Sequence, residues 1–292
     1  MAVYGWERAN QEEFAVNQVV YSNADIEMWY DWTARLNDTK FTEDCFWIVE
    51  EGRRIGGILK LGDTLMYPFL IPPFSDREKF WTGLLGSLGE KAAHINGVMQ
   101  QDADILLARG FESQVARRVM CSPASSGKMI ALAEGYSLHP FDGATDLNEI
   151  QELIRSAYTG SLDYEIFGTP SDEELRGDIQ YLLDVYRQRN LSVYVADKHS
   201  GKPIGVCIAG VGEKMPLGFA EIAEIGVEPS HRGRGIAELM LHHVKHQARP
   251  YTDVVKLCVT VGNPAENLYR KAGFQGGPSF AKMSRMPRAN MK

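Results

Sequence analysis

Residues 227–240, VEPSHRGRGIAELM, alternate arginine with glycine between a run that reads as a strand and one that reads as a helix. Glu221 to Val227 alternate weakly, Pro229 ends that strand, and Ile236, Leu239, Met240 and Val244 fall at helical spacing. The loop 230–235 is therefore expected just before a helix N-terminus. There the first N–H groups lack intrahelical partners and the helix dipole is positive, which together make an anion site. Gly233 and Gly235 let oxygen atoms come closer to the backbone than a Cβ would allow.

The type of anion follows by elimination. A P-loop needs Gly-Lys followed by Ser or Thr, which this loop lacks, and a dinucleotide fingerprint needs a third glycine where Glu238 stands. An arginine-glycine RNA segment would be repetitive and would not run into an apolar helix. A diphosphate cradled by backbone amides remains.

The elements that must hold this loop occur in a repeating order. GRRIGGILKLGD (52–63) and GKPIGVCIAGVGE (201–213) each follow a strand-like run and read as the turn and return strand of a hairpin. DADILLARGFESQVARRVMCSP (102–123) resembles PAENLYRKAGFQGGPSFAKMSRMP (264–287): a short helix, Gly-Phe, then a strand carrying Met120 or Met283. Between these anchors the first half is 14 residues shorter, and that is the interval in which the second half carries the arginine-glycine loop. The chain reads as a tandem duplication joined at SPASSGK (122–128). One domain is expected over 1–125 without the loop and one over 134–292 with it. Each half reads as mixed α/β, helices around a central sheet.

Composition bounds the function. With 44% hydrophobic and 24% charged residues, the 292-residue chain can bury two cores. A net charge of -7 argues against general nucleic-acid binding, which requires a surplus of Lys and Arg. No run reaches the roughly 18 apolar residues of a membrane span, and the first residues are acidic rather than apolar, so a cytoplasmic, unanchored protein is expected. Cys45, Cys121, Cys207 and Cys258 show no CxxC spacing and read as reduced thiols, with Cys45, Cys207 and Cys258 in apolar, strand-like runs and expected buried. His242 and His246 are one helical turn apart without an evident third ligand, so no metal is expected.

The loop resembles that of the GCN5-related N-acetyltransferases, whose signature of Arg or Gln, two residues, Gly, one residue, then Gly or Ala is matched by Arg232, Gly235 and Ala237. The preceding FAEIAEIGVEP and the downstream NPAENLYRKAGF also fit the family pattern, and the likeness extends over 134–287. The first half is similar to the same fold with its motif worn away. The resemblance implies two tandem domains, each with a central, mostly antiparallel twisted sheet flanked by helices. It also implies acetyl-CoA as co-substrate, held by Arg232, Gly233, Arg234, Gly235, Ile236 and Ala237 around the pyrophosphate, by the strand backbone of Ile225, Gly226 and Val227 along the pantetheine, and by Asn263. Pro264 after Asn263 departs from the family spacing.

Acetyl transfer from a thioester to an amine needs a free lone pair on nitrogen, a stabilised oxyanion and a thiolate able to leave. An alkyl amine near pKa 10.4 is mostly protonated at neutral pH, so a carboxylate base is useful. By family position, Glu221 and Glu224 are the candidates. A regular strand would put them on opposite faces unless it is bulged. Tyr269 holds the place of the family's general acid, although donation from a free phenol to a thiolate is uphill by about 2 kcal/mol, so a hydrogen bond to the developing thiolate is the more economical role. Direct transfer in a ternary complex is expected, with Cys258 a core residue rather than an acyl carrier.

The acceptor is expected at SAYTGSLDYEIFGTPSDEEL (156–175), where Asp163, Glu165, Asp172, Glu173 and Glu174 accompany Tyr158, Tyr164 and Phe167. That mixture suits a cationic amine with an apolar body, in a small molecule or a peptide. Ser171 with Glu174 equally reads as a capping box, making the last three acids a solvated helix start. The alternative at this point is a non-catalytic acyl-CoA sensor of the same fold. In either case the chain is expected as a monomeric pseudo-dimer or a homodimer.

Overall fold

The computed structural model describes residues 3–21, 44–86, 94–125, 131–141, 146–186, 189–211 and 219–285, so the junction read at 122–128 lies partly outside them. The chain divides into two compact units, Met1–Arg118 with Pro278–Lys292, and Val119–Gly277. The elements in chain order are β1 (Tyr4–Arg8), α1 (Gln11–Tyr21), β2 (Cys45–Glu50), β3 (Arg53–Leu61), β4 (Thr64–Leu70), α2 (Arg77–Gly86), β5 (His94–Met99), α3 (Gln100–Leu107) and β6 (Phe111–Pro123). They continue with β7 (Tyr136–Pro140), α4 (Leu147–Tyr158), α5 (Leu162–Phe167), α6 (Asp172–Val185), β8 (Val193–Asp197), β9 (Pro203–Gly210), β10 (Phe219–Val227), α7 (Ile236–Ala248), β11 (Val254–Thr260), α8 (Ala265–Lys271) and β12 (Gln275–Arg285).

In the first unit the strands run β1-β2-β3-β4-β5-β12. Neighbours are antiparallel except β4 and β5, which are parallel. A parallel pair needs a crossover, and α2 supplies it. The second unit repeats this plan as β7-β8-β9-β10-β11-β6, with β10 and β11 parallel and α7 as the crossover. Both sheets are thus mostly antiparallel and flanked by helices, as expected.

The final strand of each sequence half is divided between the units, β6 passing from the first to the second after Arg118 and β12 from the second to the first after Gly277. Met120 on β6 is fully buried in the core of the second unit, with Leu257 and Phe274, while Met283 on β12 is fully buried in the core of the first, with Phe80 and Phe111. The two methionines that match in sequence therefore exchange cores.

In the second unit β9 shows why the sheet has two buried faces. Cys207 and Ala209 enter one cluster with Ile236, Met240 and Val244 of α7, whereas Val206 and Ile208 enter another with Ile150 and Ile154 of α4 and Ile179 of α6. The continuous apolar run of β9 is what a strand covered on both sides requires. Local signals set the helix starts on the second face: Asp146 caps α4, and Ser171 with Glu174 forms the capping box of α6. Asp172 to Glu174 are accordingly a helix start, with Asp172 paired to Arg155.

Candidate active site

The site is built where β10 loses regularity. Its pairing with β9 shifts between Ile222 and Glu224, leaving Ala223 as the extra residue of a bulge. Ala220 and Ile222 enter the α7-side core, and after the bulge Ile225 and Val227 do so again. Glu221 and Glu224 both point to the other face. There Tyr158 donates from its hydroxyl to Glu224 Oε2 at 2.8 Å, and Tyr186 donates to Glu221 Oε2 at 3.4 Å.

The environments of the two carboxylates differ. Glu221 is 7% exposed and lies 4.0 Å from the ammonium of Lys256, itself buried on β11 over the Phe219 ring. Glu224 is only partly buried. The phenols of Tyr158, Tyr186 and Tyr269 are all raised above the usual tyrosine range, each mainly by burial and then by nearby negative charge, with Glu224 contributing in all three cases.

The pairing of β10 with β11 ends at Ile222 and Leu257, after which the strands part. On that side the backbone edge of Ile225–Val227 has no strand partner among the described residues. Tyr269, buried on α8 with its ring edge-on to Phe274, feels the negative charge of both Asp163 and Glu224. Among the described residues its hydroxyl makes no hydrogen bond. Asp163 on α5 is held by two donors, Thr260 Oγ1 at 2.5 Å and Asn263 Nδ2 at 2.7 Å. Next to it the Tyr164 ring stacks on Tyr158 with centroids 5.5 Å apart, and its buried hydroxyl has no partner.

The loop after β10 has the geometry of an anion cradle. Gly233 and Gly235 both have φ 76°, a conformation that costs a residue with a Cβ. Gly235 is the N-cap of α7 and offers no side chain, so the amides of Ile236, Ala237 and Glu238 have neither an intrahelical acceptor nor a side-chain cap. Nothing lies within 4 Å of where a Cβ of either glycine would sit. Both arginines turn back into the protein. Arg232 donates to the carbonyls of Val227 at 3.2 Å and Ala157 at 2.6 Å, and Arg234 to the hydroxyl of Tyr136 at 2.5 Å and the carbonyl of Ser230 at 3.3 Å. Both residues nevertheless remain exposed, like Gly233 and Gly235 beside them, so backbone and guanidinium groups share the outer face of the loop.

Of the residues expected from sequence, Glu221, Glu224 and Tyr269 converge where β10 and β11 part, and Arg232–Ala237 form the loop and helix start. Gly226 serves close packing, since a Cβ there would come within 2.9 Å of Ala157 Cβ. Asn263, expected on the cofactor, has both ends of its amide engaged, one with Asp163 and the other with the N–H of Ala265 at 2.9 Å. Cys258, expected to be buried, is only partly so. Tyr186, Lys256 and Thr260 escaped the sequence reading. Only Lys256 carried a signal, a lone charge inside the apolar run VVKLCVTV. No cluster of three metal-ligating side chains occurs among the described residues, and no helix among them is long and apolar enough to cross a membrane.

Residues 147–274 match the sequence profile of the Acetyltransferase (GNAT) family. None of the curated protein sequences matches this chain. Among solved structures, a GCN5-related N-acetyltransferase from Sphaerobacter thermophilus is similar at 17% identity and a TM-score of 0.67, with 99% of this chain and 98% of that chain covered. A tandem GNAT protein from the clavulanic acid biosynthesis pathway shows 13% identity and a TM-score of 0.56 over 99% of this chain and all of its own. A GNAT-family acetyltransferase from Colwellia psychrerythraea shows 12% and 0.56, with 98% and 100% covered. At these identities the likeness is one of fold.

Proposed function

We propose, from the match of residues 147–274 to the Acetyltransferase (GNAT) family, that the protein is a member of that family and moves an acetyl group from acetyl-CoA to a primary amine of a small molecule or peptide, by direct attack in a ternary complex. One arrangement carries this reading: Glu224 near the end of β10 acts on the buried Tyr269 phenol, and the same strand runs on through a glycine loop into an uncapped helix start. A diphosphate fits that cradle by backbone amides of Gly233 to Ala237, and the unpaired edge of Ile225–Val227 suits an amide-bearing chain such as pantetheine.

Acetyl-CoA, when bound, supplies the activated thioester. Glu224 is the base of choice because it is partly exposed, whereas Glu221 is committed to Lys256 and Tyr186. The amine attacks as its proton passes to Glu224 Oε1 or Oε2, directly or through a water. Tyr269 keeps its proton throughout, since burial disfavours the phenolate, and its hydroxyl is the donor toward the departing sulfur. Asp163 and Glu224, with the Tyr158–Tyr164 stack and the exposed Ile166 and Phe167 of α5, favour a cationic acceptor with an apolar body.

The first unit differs at the corresponding helix start. α2 is capped by its own carboxylate, with the N–H of Lys79 donating to Asp76 Oδ1 at 3.0 Å. An anion there would meet a negative charge instead of free amides, so one acetyl-CoA per chain is expected. The deciding experiment is thiol release from acetyl-CoA across a library of amines, paired with calorimetry of acetyl-CoA alone. Binding without turnover on any amine would favour a sensor.

A further inference from the structure

The last turn of α4 is bound to the β10 strand and its loop through three consecutive residues. Ser156 Oγ donates to Glu228 Oε2 at 2.6 Å, the Ala157 carbonyl accepts from Arg232, and Tyr158 donates to Glu224 at 2.8 Å. Gly226 makes this approach possible, because any Cβ there would clash with Ala157. The Tyr164 ring closes the other side of Tyr158, 26° from parallel. The phenol is thus fixed by its helix, its stacking partner and its hydrogen bond.

We propose that Tyr158 is a positioning residue for Glu224, holding the carboxylate in one rotamer and keeping it in its charged, proton-accepting form. This rests on the reading of Glu224 as the base. A donor to a carboxylate stabilises the charged form over the protonated one. Tyr158 can act only as donor, since burial and the adjacent carboxylate keep its own proton in place.

The titratable groups that feel the charge of Glu224 are Tyr158 on α4, Tyr164 on α5, Tyr186 after α6, Cys207 on β9 and Tyr269 on α8, while Asp163 acts on Tyr158 and Tyr269 and Glu221 on Tyr186. Lys256, on the neighbouring β11, lies 4.0 Å from Glu221 on the same face.

The test uses the full chain with glutamate carboxyls labelled with 13C, the Glu224 resonance being identified by its loss in Glu224→Gln. In Tyr158→Phe the titration midpoint of Glu224 is expected to rise by about one pH unit, a tenfold gain in proton affinity. The acid limb of kcat should move in the same direction. A monofluorinated tyrosine at 158 has the same shape and is a stronger donor, so it should move both downward, which covers the case in which the phenylalanine variant folds poorly. An unmoved midpoint in both variants, or a rate lowered equally at every pH, overturns the proposal. If Glu224→Gln keeps the wild-type rate, the base assignment fails and this role fails with it. If the midpoint shifts as expected while no amine is acetylated, the positioning of Glu224 stands and the acceptor reading alone is lost.

Discussion

Glu221 and Glu224 share one face of β10 although they are three residues apart, because the strand is bulged at Ala223. The bulge gives each carboxylate its own tyrosine, Tyr186 for the first and Tyr158 for the second. It also separates their surroundings, with Glu221 buried 4.0 Å from the Lys256 ammonium and Glu224 only partly buried.

Replacing each glutamate should therefore give opposite phenotypes. Glu224→Gln is expected to lower kcat by about 10² to 10⁴ with the melting temperature nearly unchanged. Glu221→Gln removes a buried negative charge 4.0 Å from the Lys256 ammonium and should cost about 3 kcal/mol of stability, with a smaller effect on kcat. Steady-state kinetics and thermal denaturation of both variants measure this, and a reversed pattern would make Glu221 the base.

Gly235→Val should reduce acetyl-CoA affinity more than 100-fold, because a β-branched residue at φ 76° deforms the cradle and covers its amides. Arg232→Ala should weaken binding only several-fold. Since the guanidinium of Arg232 is held by the carbonyls of Val227 and Ala157, its loss should also lower the melting temperature. Calorimetry on the two variants compares them, and equal losses of affinity would show that the guanidinium itself carries the site.

Tyr269→Phe should lower kcat with little change in acetyl-CoA affinity, as for a group that acts only while charge develops on sulfur. The raised phenol also predicts that no alkaline limb from Tyr269 appears below about pH 10. An unchanged kcat would leave Tyr269 as a core residue.

Stability should fall on the alkaline side. Below about pH 10 the phenols of Tyr158, Tyr186 and Tyr269 hold their protons in both folded and unfolded chains. Above it the unfolded chain ionises first, because the folded values are raised, so each phenol removes up to about 1.4 kcal/mol per pH unit. Urea denaturation between pH 8 and 11 should show this decline, and Tyr269→Phe should make its slope shallower.

Much of the second half was legible in its residues. The strand Phe219–Val227 and the helices from Ile236 and Ala265 follow from periodicity, proline and the capping residues, because backbone geometry imposes those patterns locally. The uncapped start of α7 was also local, being set by Gly235 and the absence of Ser, Thr, Asp or Asn beside it. The matched Gly-Phe and Met anchors gave the tandem plan.

Which surfaces come together was decided only by the tertiary structure. Met120 and Met283 look alike in sequence, yet each fills the core of the opposite unit, and strand pairing over such separations leaves no local trace. The bulge at Ala223, the turning inward of Arg232 and Arg234, and the pairing of Tyr186 and Lys256 with Glu221 are equally hidden. Each depends on partners brought near by packing from distant parts of the chain. A side chain's type and period specify the face it occupies, whereas its hydrogen-bond partner is fixed only when another element is packed against that face.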